Sequence, residues 1–106
     1  MLSQLDHPNI VKIIQWNIGG DPPNFYPYYV MEYLSGGSLR DHMNEEYQSD
    51  DKYYFDVKWT ISRIILPVCN ALAQAHSDNI YHRDLKPSNI MFTDNPKSAI
   101  KITDWG

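Results

Sequence analysis

The chain has 106 residues, 42% hydrophobic and 21% charged, with a formal charge of −4 and a pI near 5.4. Those proportions describe an ordinary globular chain the size of one small domain and exclude a disordered or fibrous one. The nine Lys and Arg are scattered over an acidic chain, which argues against a nucleic-acid surface, and no apolar run approaches membrane-spanning length.

The N-terminus, MLSQLDHPN, has neither the basic nor the hydrophobic region of a signal peptide. The single Cys69 excludes an internal disulfide and fits a reducing compartment, so a cytoplasmic location, or the cytoplasmic part of a larger protein, is expected. Met1 to Asp6 reads as the last turn of a helix, ended at His7 because a residue before proline is pushed out of the α region. Asn9 to Trp16 is β-branched and Pro27 to Leu34 is aromatic and branched; both read as strands. The turn-rich Gly19 to Asn24 between them predicts an antiparallel hairpin with a long loop.

Ser35-Gly36-Gly37 then reads as a flexible break, and Ser38 stands three residues before Asp41, as in a capping box with a shortened acid. A short helix is expected from Leu39 to about Tyr47, running into a solvated polar loop over Asn44 to Lys52. Ile61, Ile64, Ile65, Val68, Cys69, Leu72, Ala73 and Ala75 recur at helical spacing, which predicts a long core helix from Asp56, its N-cap, to Ser77. Within it Cys69 should be a buried structural thiol, and Pro67 should kink the helix or shift its start. Asn79 suits a left-handed C-terminal cap. Asn89 to Phe92 and Ala99 to Thr103 form a second predicted hairpin, whose open end sets Asn89 beside Asp104.

Between the long helix and this hairpin lies YHRDLKPSN, Tyr81 to Asn89. It carries a carboxylate at Asp84, an ammonium at Lys86 and an amide at Asn89, with Pro87 restricting the loop. Phosphoryl transfer needs such parts: a carboxylate to orient a hydroxyl and take its proton, a cation on the moving phosphoryl group, and oxygen ligands for Mg²⁺. Asp104 offers a second metal ligand. His7, His42 and His76 share no metal-ligand spacing with one another or with Cys69.

HRDLKPSN followed by DWG resembles the catalytic loop and metal-binding motif of eukaryotic-type Ser/Thr protein kinases. The resemblance implies an α+β, protein-kinase-like fold of which this chain is a central part. Residues 1–34 would hold the end of the regulatory helix and two strands of the N-lobe, and residues 35–106 the hinge and first half of the C-lobe. It also implies ATP and Mg²⁺ as cofactors, a protein substrate, Asp84 and Lys86 as catalytic residues, and Asn89 and Asp104 as metal ligands. HPNIVKI and YVMEYLSGGSL extend the match. They make Met31 the gatekeeper, Glu32 and Leu34 donors of backbone groups to adenine, Ser38 a neighbour of the ribose and Met91 the adenine floor. Lys86 goes with Ser/Thr acceptors, Arg83 with an activation segment held by an acidic group, and His82 with packing rather than proton transfer.

The family's Phe is here Trp105, which alters packing while leaving the Asp ligand and the Gly106 hinge in place. The Gly-rich loop and its lysine, expected before Met1, and the activation segment, expected after Gly106, are not in this sequence. The piece alone is therefore expected to be weakly folded and inactive, with an exposed apolar stripe on the long helix. Two other readings are a pseudokinase acting as a scaffold module, and a small-molecule kinase of the aminoglycoside or choline type. The intact Asp84, Lys86, Asn89 and Asp104 speak against the first, and HRDLKP against the second.

Overall fold

The computed structural model describes residues 5–17, 27–48, 57–94 and 98–105. Two short antiparallel hairpins bracket the helices. In the first, β1 (Ile13–Asn17) pairs with β2 (Tyr28–Met31), Ile13 facing Met31 and Asn17 facing Tyr28, with a bulge between Ile13 and Gln15. In the second, β3 (Ile90–Phe92) pairs with β4 (Ile100–Ile102), Ile90 facing Ile102. The strand expected from Asn9 is shorter than its β-branched run, because Asn9 to Val11 joins the second hairpin instead. Ile10 bridges Ile102 in parallel, the Ile102 N–H donates to the Asn9 carbonyl at 2.9 Å, and the Val11 N–H donates to the Ile102 carbonyl at 3.1 Å. The Asn9 side chain adds a bond from Nδ2 to the Ile100 carbonyl at 2.9 Å. Two strands alone are marginal in water, and this third segment supplies the missing edge partner.

Between the hairpins α1 (Leu39–Gln48) opens with the predicted box: the Ser38 N–H donates to Asp41 Oδ2 and the Asp41 N–H to Ser38 Oγ, both at 3.1 Å. The helix continues through Gln48, so the first part of the predicted polar loop is helical. The long helix is built as α2 (Val57–Thr60), a π-helical turn over Ile61–Ile65, and α3 (Leu66–Ser77). Pro67 explains the π turn. It has no N–H to donate and its ring crowds the preceding turn, so the ladder widens and the Leu66 N–H reaches back five residues to the Ile61 carbonyl. The expected kink is thus taken up as one inserted residue.

Ile64, Val68, Ala71 and Ala75 point inward, while Ile61, Ile65, Leu66 and Cys69 are exposed. The eight-residue apolar stripe was wider than the face that is covered, and Cys69 is not the buried thiol expected of it. Asn79 closes α3 in the left-handed conformation, with its N–H on the His76 carbonyl and the Ile80 N–H on that of Ala75, the paired bonds of a Schellman end. The core lies where this helix, Leu39 and Ile10 meet the second hairpin, with Phe92, Ile100 and Ile102 essentially inaccessible. Each such side chain contributes about 1.5–3 kcal/mol by burial. Of the helical turn predicted over Met1 to Asp6, Leu5 and Asp6 are not helical, and residues 1–4, the Gly19–Asn24 connection, the Asp56 cap, the rest of the polar loop and the Gly106 hinge lie outside the described residues.

Candidate active site

The loop that follows the Schellman end is organised by His82, which is buried. Its Nδ1 accepts the Asp84 N–H at 3.1 Å, so the ring proton sits on Nε2, which donates to the Thr103 carbonyl at 2.6 Å. Both ring nitrogens are engaged, as packing rather than proton transfer requires. Arg83, between the two bonded residues, has φ of 72°, a left-handed conformation that L-residues adopt at a cost of about 1–2 kcal/mol. Asp84 and Lys86 both face solvent, with Lys86 Nζ 3.3 Å from Asp84 Oδ2. Being exposed, the pair adds little stability.

A single 3-10 turn, Pro87–Asn89, delivers the chain to β3. Asn89 is buried and holds the loop from both sides. Its Nδ2 donates to the Asp84 carbonyl at 2.8 Å, and its own carbonyl accepts the Thr103 N–H at 2.8 Å. Asp104 is therefore one residue beyond Asn89's direct partner. It is exposed, and its φ of 55° is again left-handed. Trp105 secures that turn: its Nε1 donates to the Ile102 carbonyl at 3.0 Å and its ring lies 4.9 Å from that of His82.

On the other side of β3, the stretch read as a flexible break is pinned. The Gly36 N–H donates to the Phe92 carbonyl at 3.1 Å, the Phe92 N–H to the Gly37 carbonyl at 2.9 Å, and Ser38 bridges Met91. A Cβ at Gly36 would meet Phe92 Cβ and O at 2.7 Å, so close approach, not freedom, requires this glycine. His42 braces the turn, with Nε2 donating to the Gly36 carbonyl at 2.6 Å. Leu34 and Ser38 are buried, Met91 is half-buried, and Met31 stays exposed at the end of β2.

Glu32 reaches across to β4. Its Oε1 accepts both the Lys12 N–H, at 2.9 Å, and Lys101 Nζ. Burial pushes this carboxyl up, but the Lys101 ammonium and the Lys12 amide outweigh it and hold the group below its ordinary value. The Asp41 carboxyl is lowered by its bonds to the Ser38 N–H and hydroxyl region of the cap. Sequence reasoning missed the Glu32–Lys101 pair, since nothing local links residues 69 apart. It also missed Gly36, whose signal was present in the Gly-Gly dipeptide but was read as flexibility.

This arrangement has relatives. The sequence pattern of the protein kinase domain family matches residues 1–106, and the chain belongs to that family. It is 39% identical over 107 residues to calcium-dependent protein kinase 5 of Plasmodium falciparum, covering 100% of this chain and 17% of that protein. It is 36% identical over 102 residues to serine/threonine-protein kinase PknB of Mycobacterium tuberculosis, covering 96% of this chain and 15% of that protein. Among solved structures, Rad53 1–466 in complex with AMP-PNP matches with a TM-score of 0.74 and 33% identity, over 99% of this chain and 25% of that one. The chain thus spans about a sixth of the length of these curated relatives. No helix among the described residues is long and apolar enough to cross a membrane.

Proposed function

We propose that this chain supplies the catalytic loop and part of the nucleotide pocket of an ATP-dependent protein kinase acting on Ser or Thr of a protein. One observation carries the reading. Asn89 is bonded to Asp84 on one side and to Thr103 on the other, so the loop with Asp84 and Lys86 and the turn with Asp104 are held as one unit. The names of the Plasmodium and mycobacterial relatives, and the nucleotide analogue in the Rad53 complex, support it.

Asp84 orients the acceptor hydroxyl and takes its proton as the oxygen attacks the γ-phosphorus; the bond to the β–γ bridging oxygen breaks and its electrons leave with ADP. Lys86, beside Asp84, sets its ammonium against the moving phosphoryl group. Asn89 and Asp104 would hold Mg²⁺. The Asn89 amide nitrogen is committed to Asp84, which leaves its oxygen as the donor, and the Asp104 carboxylate is exposed. Both are the hard oxygen ligands the ion prefers. No cluster of three His, Cys, Asp or Glu that could hold a metal occurs among the described residues, so the pair suits an ion carried with phosphates. When bound, Mg²⁺ neutralises charge that develops on the phosphates.

The hinge offers the adenine groups. Among the described residues, the Glu32 carbonyl and the Leu34 N–H make no hydrogen bond. Met91 forms the adenine floor, Met31 the gatekeeper, and Ser38 approaches the ribose. Residues 1–34 belong on this reading to an N-lobe and 35–106 to the hinge and C-lobe, in a cytoplasmic setting. In the full-length protein, Asp84→Asn should lower turnover by about a hundredfold to ten-thousandfold with nucleotide affinity kept. Equal turnover by the two proteins refutes the assignment, and transfer to aminoglycoside or choline acceptors in place of proteins refutes the substrate class.

A further inference from the structure

We propose that the Glu32–Lys101 ion pair is a clasp that fixes the hinge against the hairpin carrying Asn89, Met91 and Asp104, and that Lys101 is a positioning residue for the nucleotide. The inference rests on the kinase reading above and adds a residue to it that does not touch the reacting atoms.

The clasp joins three separate stretches at one carboxylate. Glu32 follows β2 directly, and its N–H donates to the Lys12 carbonyl at 3.0 Å while its side chain accepts the Lys12 N–H. The same oxygen takes Lys101 Nζ from β4. The Glu32 and Lys101 side chains are only 28% and 19% exposed, so the pair is shielded enough to hold a geometry, unlike the open Asp84–Lys86 pair at 65% and 53%. Lys12 adds a second positive charge near the carboxylate.

Position gives the clasp its consequence. Lys101 faces Met91 across the hairpin, and Met91 bridges Ser38, where the hinge ends. The hinge is therefore fastened to one hairpin at both ends: at Glu32 through Lys101 on β4, and at Gly36 to Ser38 through β3. Between these anchors lie the Glu32 carbonyl and the Leu34 amide, which have no partner among the described residues. The distance from those groups to Asn89 and Asp104 is then set by protein contacts before a nucleotide enters, and preorganisation of this kind lowers the cost of binding. Releasing one anchor loosens the adenine end alone, so ground state and transition state lose equally and KM rises while kcat stays.

The test uses the full-length protein with Lys101→Met, which keeps the stem and removes the charge, and Lys101→Arg, which keeps the charge. Lys101→Met should raise the KM for ATP about threefold to tenfold with kcat and the KM for the protein substrate unchanged, and exchange of the bonded Lys12 and Glu32 amides at the clasp should quicken. Lys101→Arg should restore both readouts. A Lys101→Met protein that melts earlier or loses kcat, yet keeps the wild-type KM for ATP, overturns the proposal and leaves a merely structural pair. Should wild type phosphorylate nothing, the kinase reading fails separately, and exchange at the bonded amides of Lys12 and Glu32 decides the clasp: quickened by Lys101→Met, it stands as a hinge device, and unchanged, it falls.

Discussion

Trp105→Phe tests the turn that presents Asp104. The substitution keeps an aromatic ring near His82 and removes the Nε1 donor to the Ile102 carbonyl. One neutral hydrogen bond is worth about 1 kcal/mol net, and the Ile102 carbonyl is not orphaned, because it still accepts the Val11 N–H at 3.1 Å. The smaller ring forfeits roughly another 0.5–1 kcal/mol of burial from a half-buried site. This total of about 1.5–2 kcal/mol is similar to the roughly 1–2 kcal/mol that a left-handed Asp costs, so the bond and packing of Trp105 offset that cost and, beside the His82 bond to the Thr103 carbonyl, help keep Asp104 at φ of 55°. Without them, poses that relax Asp104 to negative φ gain population, and apparent affinity falls in proportion to the competent fraction. Titration of full-length protein with an ATP analogue should show a Kd weakened about threefold to tenfold in Mg²⁺. In EDTA, where Asp104 has no ion to hold, wild type and variant should bind alike. An unchanged Kd in Mg²⁺, or equal weakening with and without the ion, refutes the reasoning.

Gly36→Ala should lower the melting temperature of the full-length protein, since a Cβ at 2.7 Å from the Phe92 backbone cannot be relieved by a rotamer change, and overpacking of this kind costs about 1–3 kcal/mol. An unaltered calorimetric transition would falsify the close-packing account of this glycine. Ser38→Ala removes the Oγ acceptor of the Asp41 N–H and should cost about 1 kcal/mol in denaturant unfolding, whereas Ser38→Thr, which keeps the acceptor, should cost less. The Glu32 and Asp41 carboxyls lie below their ordinary values of 4.5 and 3.8, so the stability each adds is fully present above those values and is lost as pH falls through the folded ones. Urea midpoints should therefore drop on acidification below about pH 4, and Lys101→Met should flatten the part due to Glu32. A midpoint insensitive to pH down to 3 excludes that linkage.

Elements specified by local chemistry were legible in the sequence. The Ser38–Asp41 box, the Asn79 cap and the 3.6-residue pattern of the long helix each depend on residues within a turn or two of one another, and both hairpins pair strands that are neighbours in sequence. The catalytic loop was legible because HRDLKPSN places its chemistry within eight residues. What escaped was set by partners far along the chain. Cys69 sits on a helical apolar stripe, but exposure depends on which neighbours cover that stripe. Asn9 to Val11 has strand composition, yet its partner is Ile102, not the adjacent β2. Pro67 announced a disturbance without saying whether the helix would bend or widen; the π turn widens it, and Ile64 within the turn and Val68 beyond it are both buried in the core. The two left-handed residues, Arg83 and Asp104, were not read from the sequence, since each is imposed by the bonds of His82, one of which reaches the distant Thr103, rather than by a local cap such as Asn79 supplies.

Those two residues share a single restraint. A left-handed L-residue persists only where its surroundings overdetermine it. His82 does this for both: Nδ1 fixes the Asp84 N–H just after Arg83, and Nε2 fixes the Thr103 carbonyl just before Asp104. Asn89 repeats the tie one layer away, from the Asp84 carbonyl to the Thr103 N–H. Asp84 is thus bonded to the imidazole through its own N–H and Asp104 follows a residue bonded to the same ring, although 20 positions separate the two in sequence. The two carboxylates that face solvent take their directions from two buried side chains. Changing His82 should therefore disturb the proposed base and the proposed metal ligand together, through their spacing, in a way that changing either carboxylate alone does not.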